Sequence, residues 1–245
     1  MKKIVVCVMS SRIESENCPW WSMIDLSKRT WDSVEVPNVQ TIFHVGAPAQ
    51  PLTDKIIGFD VGEELHDLGR RNLACFRYLL ETDPSWRYLA RINASCYCSK
   101  PRLAKFCEEL PEEGVVVGGV IDGEGENKRR MWGGLHFILS RDVVQAIVDN
   151  EEQWNHRVME DVSLSHLVFG LGFDVFGKPR SGGIDYAEGK WSFTNYHTGN
   201  NFAFADITEI KDKADCCFIR LKQDWKRHLD KWLMQELFDK YDNTP

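Results

Sequence analysis

Short unbroken apolar runs alternate along this chain with longer stretches whose apolar positions recur every three or four residues. The runs at 3–9, 39–45, 88–92, 114–120 and 135–139 are too short for helices and predict strands. The first of them reads Ile4-Val5-Val6-Cys7-Val8-Met9 with no polar break, the pattern of a strand covered on both faces. Helices are predicted over 19–33, 65–80, 101–110, 141–151, 161–170 and 224–241. In 65–80, Leu68, Arg71, Ala74, Cys75, Tyr78 and Leu79 fall near the helical period, and Ser140 reads as the N-cap of the helix from 141. Alternating strands and helices imply an α/β fold: a mainly parallel central sheet flanked by helices, Rossmann-like, with ligands at the carboxyl ends of the strands. Trp20, Trp21 and Trp31 read as core. From 177 to 205 Gly, Asn, Ser and aromatic residues follow one another without period, and so long a loop segment in a compact domain predicts a functional one.

Composition narrows the picture. With 245 residues, 43% hydrophobic and 27% charged, and with no repeat, low-complexity tract or linker, the chain reads as a single domain, 1–245. Its net charge of −7 lacks long like-charged blocks, which argues against an extended nucleic-acid surface; Lys128-Arg129-Arg130 reads as a solvated turn. Eight cysteines interrupt apolar runs like small buried thiols, without zinc or disulfide spacing, and imply a reducing compartment. The apolar N-terminal run is too short for a signal peptide, and no stretch approaches the ~20 apolar residues that span a bilayer.

The candidate chemistry begins at Trp132-Gly133-Gly134, where two glycines opening a strand let a bulky ligand approach the backbone. Glu160 and Asp161 follow at a predicted helix start. Acids there are stabilised by the helix dipole whatever their role, but one carboxylate beside an acceptor hydroxyl is what a general base requires. Ser10, Ser11 and Arg12 end the first strand, and Arg91, Asn93 and Ser95 the 88–92 strand, both places where a nucleotide settles in such folds. Arg70 and Arg71 either reach a phosphate or lie on a solvated helix face. Arg220 and Lys222 alternate in an extended run and so point the same way; with His197 they are the cations available to a phosphate group. Trp132 and Trp191 are candidates for stacking on sugar rings.

The Gly133-Gly134 to Leu139-Ser140-Arg141-Asp142 block together with Glu160-Asp161-Val162 resembles the Gly-Gly-x-x-x-x-Leu-Ser-x-Asp and Glu-Asp-Val signatures of the fringe and β-1,3-galactosyltransferase-like glycosyltransferases. The segment around Phe218-Ile219-Arg220-Leu221-Lys222 and Arg227-His228-Leu229-Asp230 resembles one in viral and bacterial transferases of this type. The resemblance implies a GT-A fold and a hexosyl- or pentosyltransferase that takes a nucleotide-sugar donor, UDP-linked by preference, and a carbohydrate or glycan acceptor. It implies a soluble, cytoplasmic enzyme of the bacterial or viral branch, since the family's anchored members carry a membrane segment. Site residues follow: Asp161 or Glu160 as base, with Asp161 favoured by the resemblance; Ser10, Ser11, Arg12, Arg71, Arg91, Asn93, Ser95, His197, Arg220 and Lys222 around the nucleotide and diphosphate; Trp132, Gly133, Gly134 and Trp191 around the acceptor.

One departure matters. The family's Asp-x-Asp pair holds a divalent cation on the diphosphate, whereas the matching stretch here is Arg91-Ile92-Asn93-Ala94-Ser95. The expectation is an inverting transferase without a metal cofactor. Two alternatives stay open: a catalytically inactive carbohydrate-binding module, and a transferase using Mn or Mg held by Glu160, Asp161 and His197.

Overall fold

A computed structural model describes residues 3–46, 53, 55–118, 120–122, 129–131, 136–174, 196–197, 217–221 and 227–243, and for 120–122, 129–131, 196–197 and 220 the backbone alone. The first strand, β1 (Lys3–Met9), is buried along nearly its whole length. It lies at the centre of a six-stranded sheet between β2 (Val39–Val45) and β4 (Trp86–Asn93), with β3 (Ile56–Gly58) outside β2. These four run parallel. Beyond β4 come β9 (Phe137–Ser140), antiparallel to it, and β6 (Val116–Gly118), antiparallel to β9. The sheet is therefore mostly parallel with one reversed strand, a reversal that a run of apolar residues does not encode because both directions bury the same side chains.

The two faces of the sheet are read from side-chain contacts. Cys7 of β1 meets Cys75 of α2 (Leu68–Thr82), Sγ to Sγ 3.7 Å. On the opposite side Phe43 of β2 packs its ring against Trp31, centroids 6.4 Å apart. Helices α2, α4 (Arg141–Asp149) and α5 (Glu160–Gly170) pack together, as do α1 (Trp20–Arg29), the short helical turn Trp31–Ser33 and α6 (His228–Tyr241) with their neighbours. Gly69 lets α2 approach the Trp154 indole: an added Cβ would stand 2.7 Å from Nε1, closer than any side chain allows. Six of the seven described cysteines are buried thiols, as their place in apolar runs predicts.

Two smaller sheets complete the topology. Strand β5 (Cys96–Cys98) follows β4 after two residues and pairs antiparallel with β11 (Phe218–Arg220), which pairs parallel with β10 (Tyr196–His197). Strands β7 (Val120–Asp122) and β8 (Arg129–Met131) form a hairpin. Helix α3 (Lys100–Glu108) follows β5.

Several local expectations are corrected. The helix predicted over 19–33 stops at Arg29, where Thr30 leaves the helical backbone at φ −108°, ψ −118° and its hydroxyl donates to the Leu26 carbonyl at 2.7 Å. Ser140 does not cap α4 with its side chain; its hydroxyl accepts from the Val115 N–H at 2.8 Å and ties β9 to the start of β6. Arg129 and Arg130 belong to a paired strand rather than a turn. No helix among the described residues is long and apolar enough to cross a membrane.

Candidate functional site

Parallel strands expose their last carbonyls and the following turns at one edge, so a cleft forms where neighbouring connections diverge. Here that edge is the end of β1 and β4, and the cleft is a cavity of about 300 Å³. Its walls include Ser10, Ser11, Arg71, Arg91, Asn93, Ser95, Glu160 and Asp161. Eight residues scattered from 10 to 161 in the sequence, each singled out for its chemistry, thus meet in one place. The N-terminal turns of α2 and α5 supply Leu68, Arg71, Glu160 and Asp161 to it, and the helix dipole puts partial positive charge at both of these ends.

The two guanidiniums are fixed differently. Arg71, 1% exposed, donates to the Ser10 carbonyl at 2.7 Å and to Glu63 at 3.1 Å. Burial lowers its pKa, with Glu63 the chief opposing influence. Arg91 forms a buried ion pair with Glu160 at 2.7 Å, and the other Glu160 oxygen accepts from the Asn72 amide at 2.6 Å. Both oxygens of Glu160 are therefore committed to protein donors. Asp161, one residue along, lines the same cavity, and no described residue hydrogen-bonds its carboxylate.

The small polar groups divide likewise. The Ser10 hydroxyl donates to the Trp20 carbonyl at 3.0 Å, and the Ser11 hydroxyl accepts from the Ile13 N–H at 3.1 Å, so both shape the turn after β1. Ser95 is fully buried and its hydroxyl has no hydrogen-bond partner among the described residues, leaving a donor and acceptor for whatever enters. Arg12 stands outside the cavity wall, its side chain 45% exposed and 3.5 Å from Glu63.

Register places the remaining candidates. Arg220 of β11 stands opposite Cys96 of β5, and His197 of β10 stands opposite Arg220. The Leu221 N–H donates to the Ser95 carbonyl at 2.8 Å. The backbone thus brings positions 197 and 220 together at the Ser95 end of the cavity. Lys222, Trp132, Gly133, Gly134 and Trp191 lie outside the described residues.

Sequence reasoning missed five wall or supporting residues. Glu63 accepts from the backbone N–H groups of Arg12 and Gly46 as well as from Arg71, and it sits in a loop with no periodic signal. Asn72 is one of several buried positions on α2, and only the fold reveals its partner. Trp20, read as core, does pack half-buried against the core but also lines the cavity, with the Arg227 guanidinium 4.7 Å over its ring. Leu65 and Met159 line it while more than half exposed, an apolar rim suited to the C–H face of a sugar ring.

Beside these residues lies His44, fully buried with neither ring nitrogen hydrogen-bonded among the described residues. Burial, reinforced by the Arg71 and Arg91 charges, holds its pKa well below the ordinary value. The folded chain thus keeps His44 neutral where the unfolded chain, with a pKa near ~6.5, takes up a proton. Below that pH the unfolded state binds more protons, so His44 makes stability fall by up to ~1.4 kcal/mol per pH unit on acidification. His44→Phe is expected to flatten the acid side of a urea-derived stability profile relative to wild type, and parallel profiles below pH 6 would rule this out.

No family model and no curated protein matches this chain. Among solved structures, the fold is similar to that of a glycosyltransferase involved in the glycosylation of the major capsid of PBCV-1, with 14% identity, 95% of this chain and 99% of that one covered, and a TM-score of 0.50. The fold is GT-A-like: a mostly parallel central sheet flanked by helices, with the cavity at the carboxyl edge.

Proposed function

We propose that this chain is an inverting, metal-independent glycosyltransferase that moves a sugar from a nucleotide diphosphate, UDP by preference, to a carbohydrate hydroxyl. The observation that carries this reading is the carboxylate of Asp161, without a partner among the described residues, in a cavity that also holds Arg71, Arg91, Asn93 and Ser95. In the proposed reaction the acceptor hydroxyl gives its proton to Asp161 as its oxygen attacks the anomeric carbon. The bond from that carbon to the phosphate oxygen breaks on the opposite face, and the nucleoside diphosphate leaves with the bonding electrons. Ser95 and Asn93 contact the donor. The described walls carry more carboxylates than guanidiniums, so the departing diphosphate needs further positive charge; Arg220, whose backbone lies in the adjacent β11 strand, is assigned that role here together with Lys222.

The metal-free part of this reading is supported by the scarcity of suitable donors, since a divalent cation takes several oxygen ligands with unpaired negative charge. At the end of β4 stand Arg91 and the neutral Asn93 and Ser95. Glu160 is held by Arg91 and Asn72, and Glu63 by Arg71. The test is release of nucleotide from UDP-, GDP-, dTDP- and CMP-sugars with and without EDTA. Turnover that persists in EDTA is expected. Turnover abolished by EDTA would move Asp161 into a metal site, and nucleotide binding without turnover would favour a carbohydrate-binding module.

A further inference from the structure

A second cleft, of about 880 Å³, opens at the beginning of β2, the end of the sheet remote from the proposed active site. Its lining includes Lys28, Lys55 and Lys100 against Asp32 and Glu35, together with Thr41. The chain as a whole carries −7, so an excess of ammonium groups in one concavity is a local feature rather than part of a basic face.

The cations converge on Asp32, which is itself buried. Lys55 reaches one carboxylate oxygen at 2.8 Å and Lys100 the other at 3.3 Å, with the Lys100 ammonium also donating to the Asp32 carbonyl at 2.8 Å. Lys100 is 4% exposed, so two ammoniums share a single carboxylate in a setting where uncompensated charge is costly. Lys28, half-buried on the same wall, has no ion-pair partner among the described residues. Thr41 adds an independent sign. It is 4% exposed, its hydroxyl has no hydrogen-bond partner among the described residues, and it shares its face of β2 with Phe43, whose ring packs on Trp31 beside Asp32.

Spare ammonium donors and an unused buried hydroxyl suit a ligand with several anionic acceptor oxygens. We propose that this cleft binds a small oxyanion of the phosphate class, either free phosphate or the phosphoryl group of a phosphorylated sugar. Lys28 and Lys55 supply the charge and Thr41 a directional hydrogen bond, while Lys100 and Asp32 fix the frame. The site is separate from the donor cavity and does not depend on the transferase reading.

The experiment is a titration of the ¹⁵N-labelled protein with sodium phosphate and with glucose 1-phosphate, each against sodium chloride at equal ionic strength. Saturable amide shifts are expected at Lys28, Asp32, Thr41 and Lys55. Lys28→Gln and Thr41→Val, which leave the Asp32 ion pairs in place, are expected to weaken binding about tenfold each, the size of one hydrogen bond to a charged group. Unchanged thermal midpoints would show that both variants keep the fold. Tighter binding of the ester identifies a sugar phosphate as the ligand, and equal binding identifies the free anion. Shifts reproduced by chloride, confined to the cavity around Ser10 and Arg71, or unaffected by both substitutions would overturn the proposal.

Discussion

Asp161→Asn is expected to lower kcat by about 10²–10⁴-fold while leaving the thermal midpoint and donor KM nearly unchanged. The magnitude is that of removing a general base, and the substitution keeps the side chain's shape. Stability should hold because no described residue hydrogen-bonds the Asp161 carboxylate. Glu160→Gln provides the contrast. Its carboxylate is the partner of Arg91 and Asn72, so the amide should cost thermal stability more than Asp161→Asn does. Any loss of activity would come through displacement of the first turn of α5, which carries Asp161. Steady-state kinetics and melting curves on the two variants separate base from support: an Asp161→Asn enzyme retaining more than about a tenth of wild-type kcat, below the usual contribution of a positioned base, would remove Asp161 from the chemistry.

The Arg91–Glu160 pair is expected to give the largest stability effect. Its side chains are 2% and 5% exposed at a separation of 2.7 Å, and Arg91→Met would leave the buried Glu160 carboxylate without its guanidinium partner. Breaking such a pair from one side typically costs ~3–5 kcal/mol, and in a domain of this size that lowers the thermal midpoint by roughly 10 °C. Arg91→Met with Glu160→Gln removes both charges together and should recover part of the loss. A double variant less stable than the sum of the singles, or an Arg91→Met protein melting within about a degree of wild type, would mean that the pair is not the tie between β4 and α5 that its geometry describes.

The legible parts of the fold were those where one side-chain period ran long enough to stand out. Strands β1 and β2 lie where their apolar runs lie, and α2 lies where the spacing of Arg71, Cys75 and Leu79 puts it, with those three buried and Tyr78 of the same series exposed. Strands of three residues such as β3 and β5 are shorter than any period can reveal, and the antiparallel direction of β9 rests on hydrogen bonding that sequence patterns do not carry. Within the candidate site, chemistry was legible wherever polar residues ended an apolar run: Ser10 and Ser11 after β1, Asn93 and Ser95 at the end of β4, Glu160 and Asp161 at the start of α5. Glu63 and Asn72 carried no such mark, because their roles lie wholly in partners from other segments.

The sequence by itself determined the alternation of strands and helices, the buried character of β1 and the residues from which a site is built, since these follow from local periodicity and from which side chains tolerate burial. Only the tertiary structure decided which acid stands without a described partner and which is tied. Glu160 and Asp161 are neighbours with the same charge at the same helix start, and any local rule treats them alike. The twist between adjacent residues on α5 sends one carboxylate against Arg91 of β4 and Asn72 of α2 and leaves the other in the cavity. That distinction arises only when three segments far apart in the chain come within hydrogen-bonding distance.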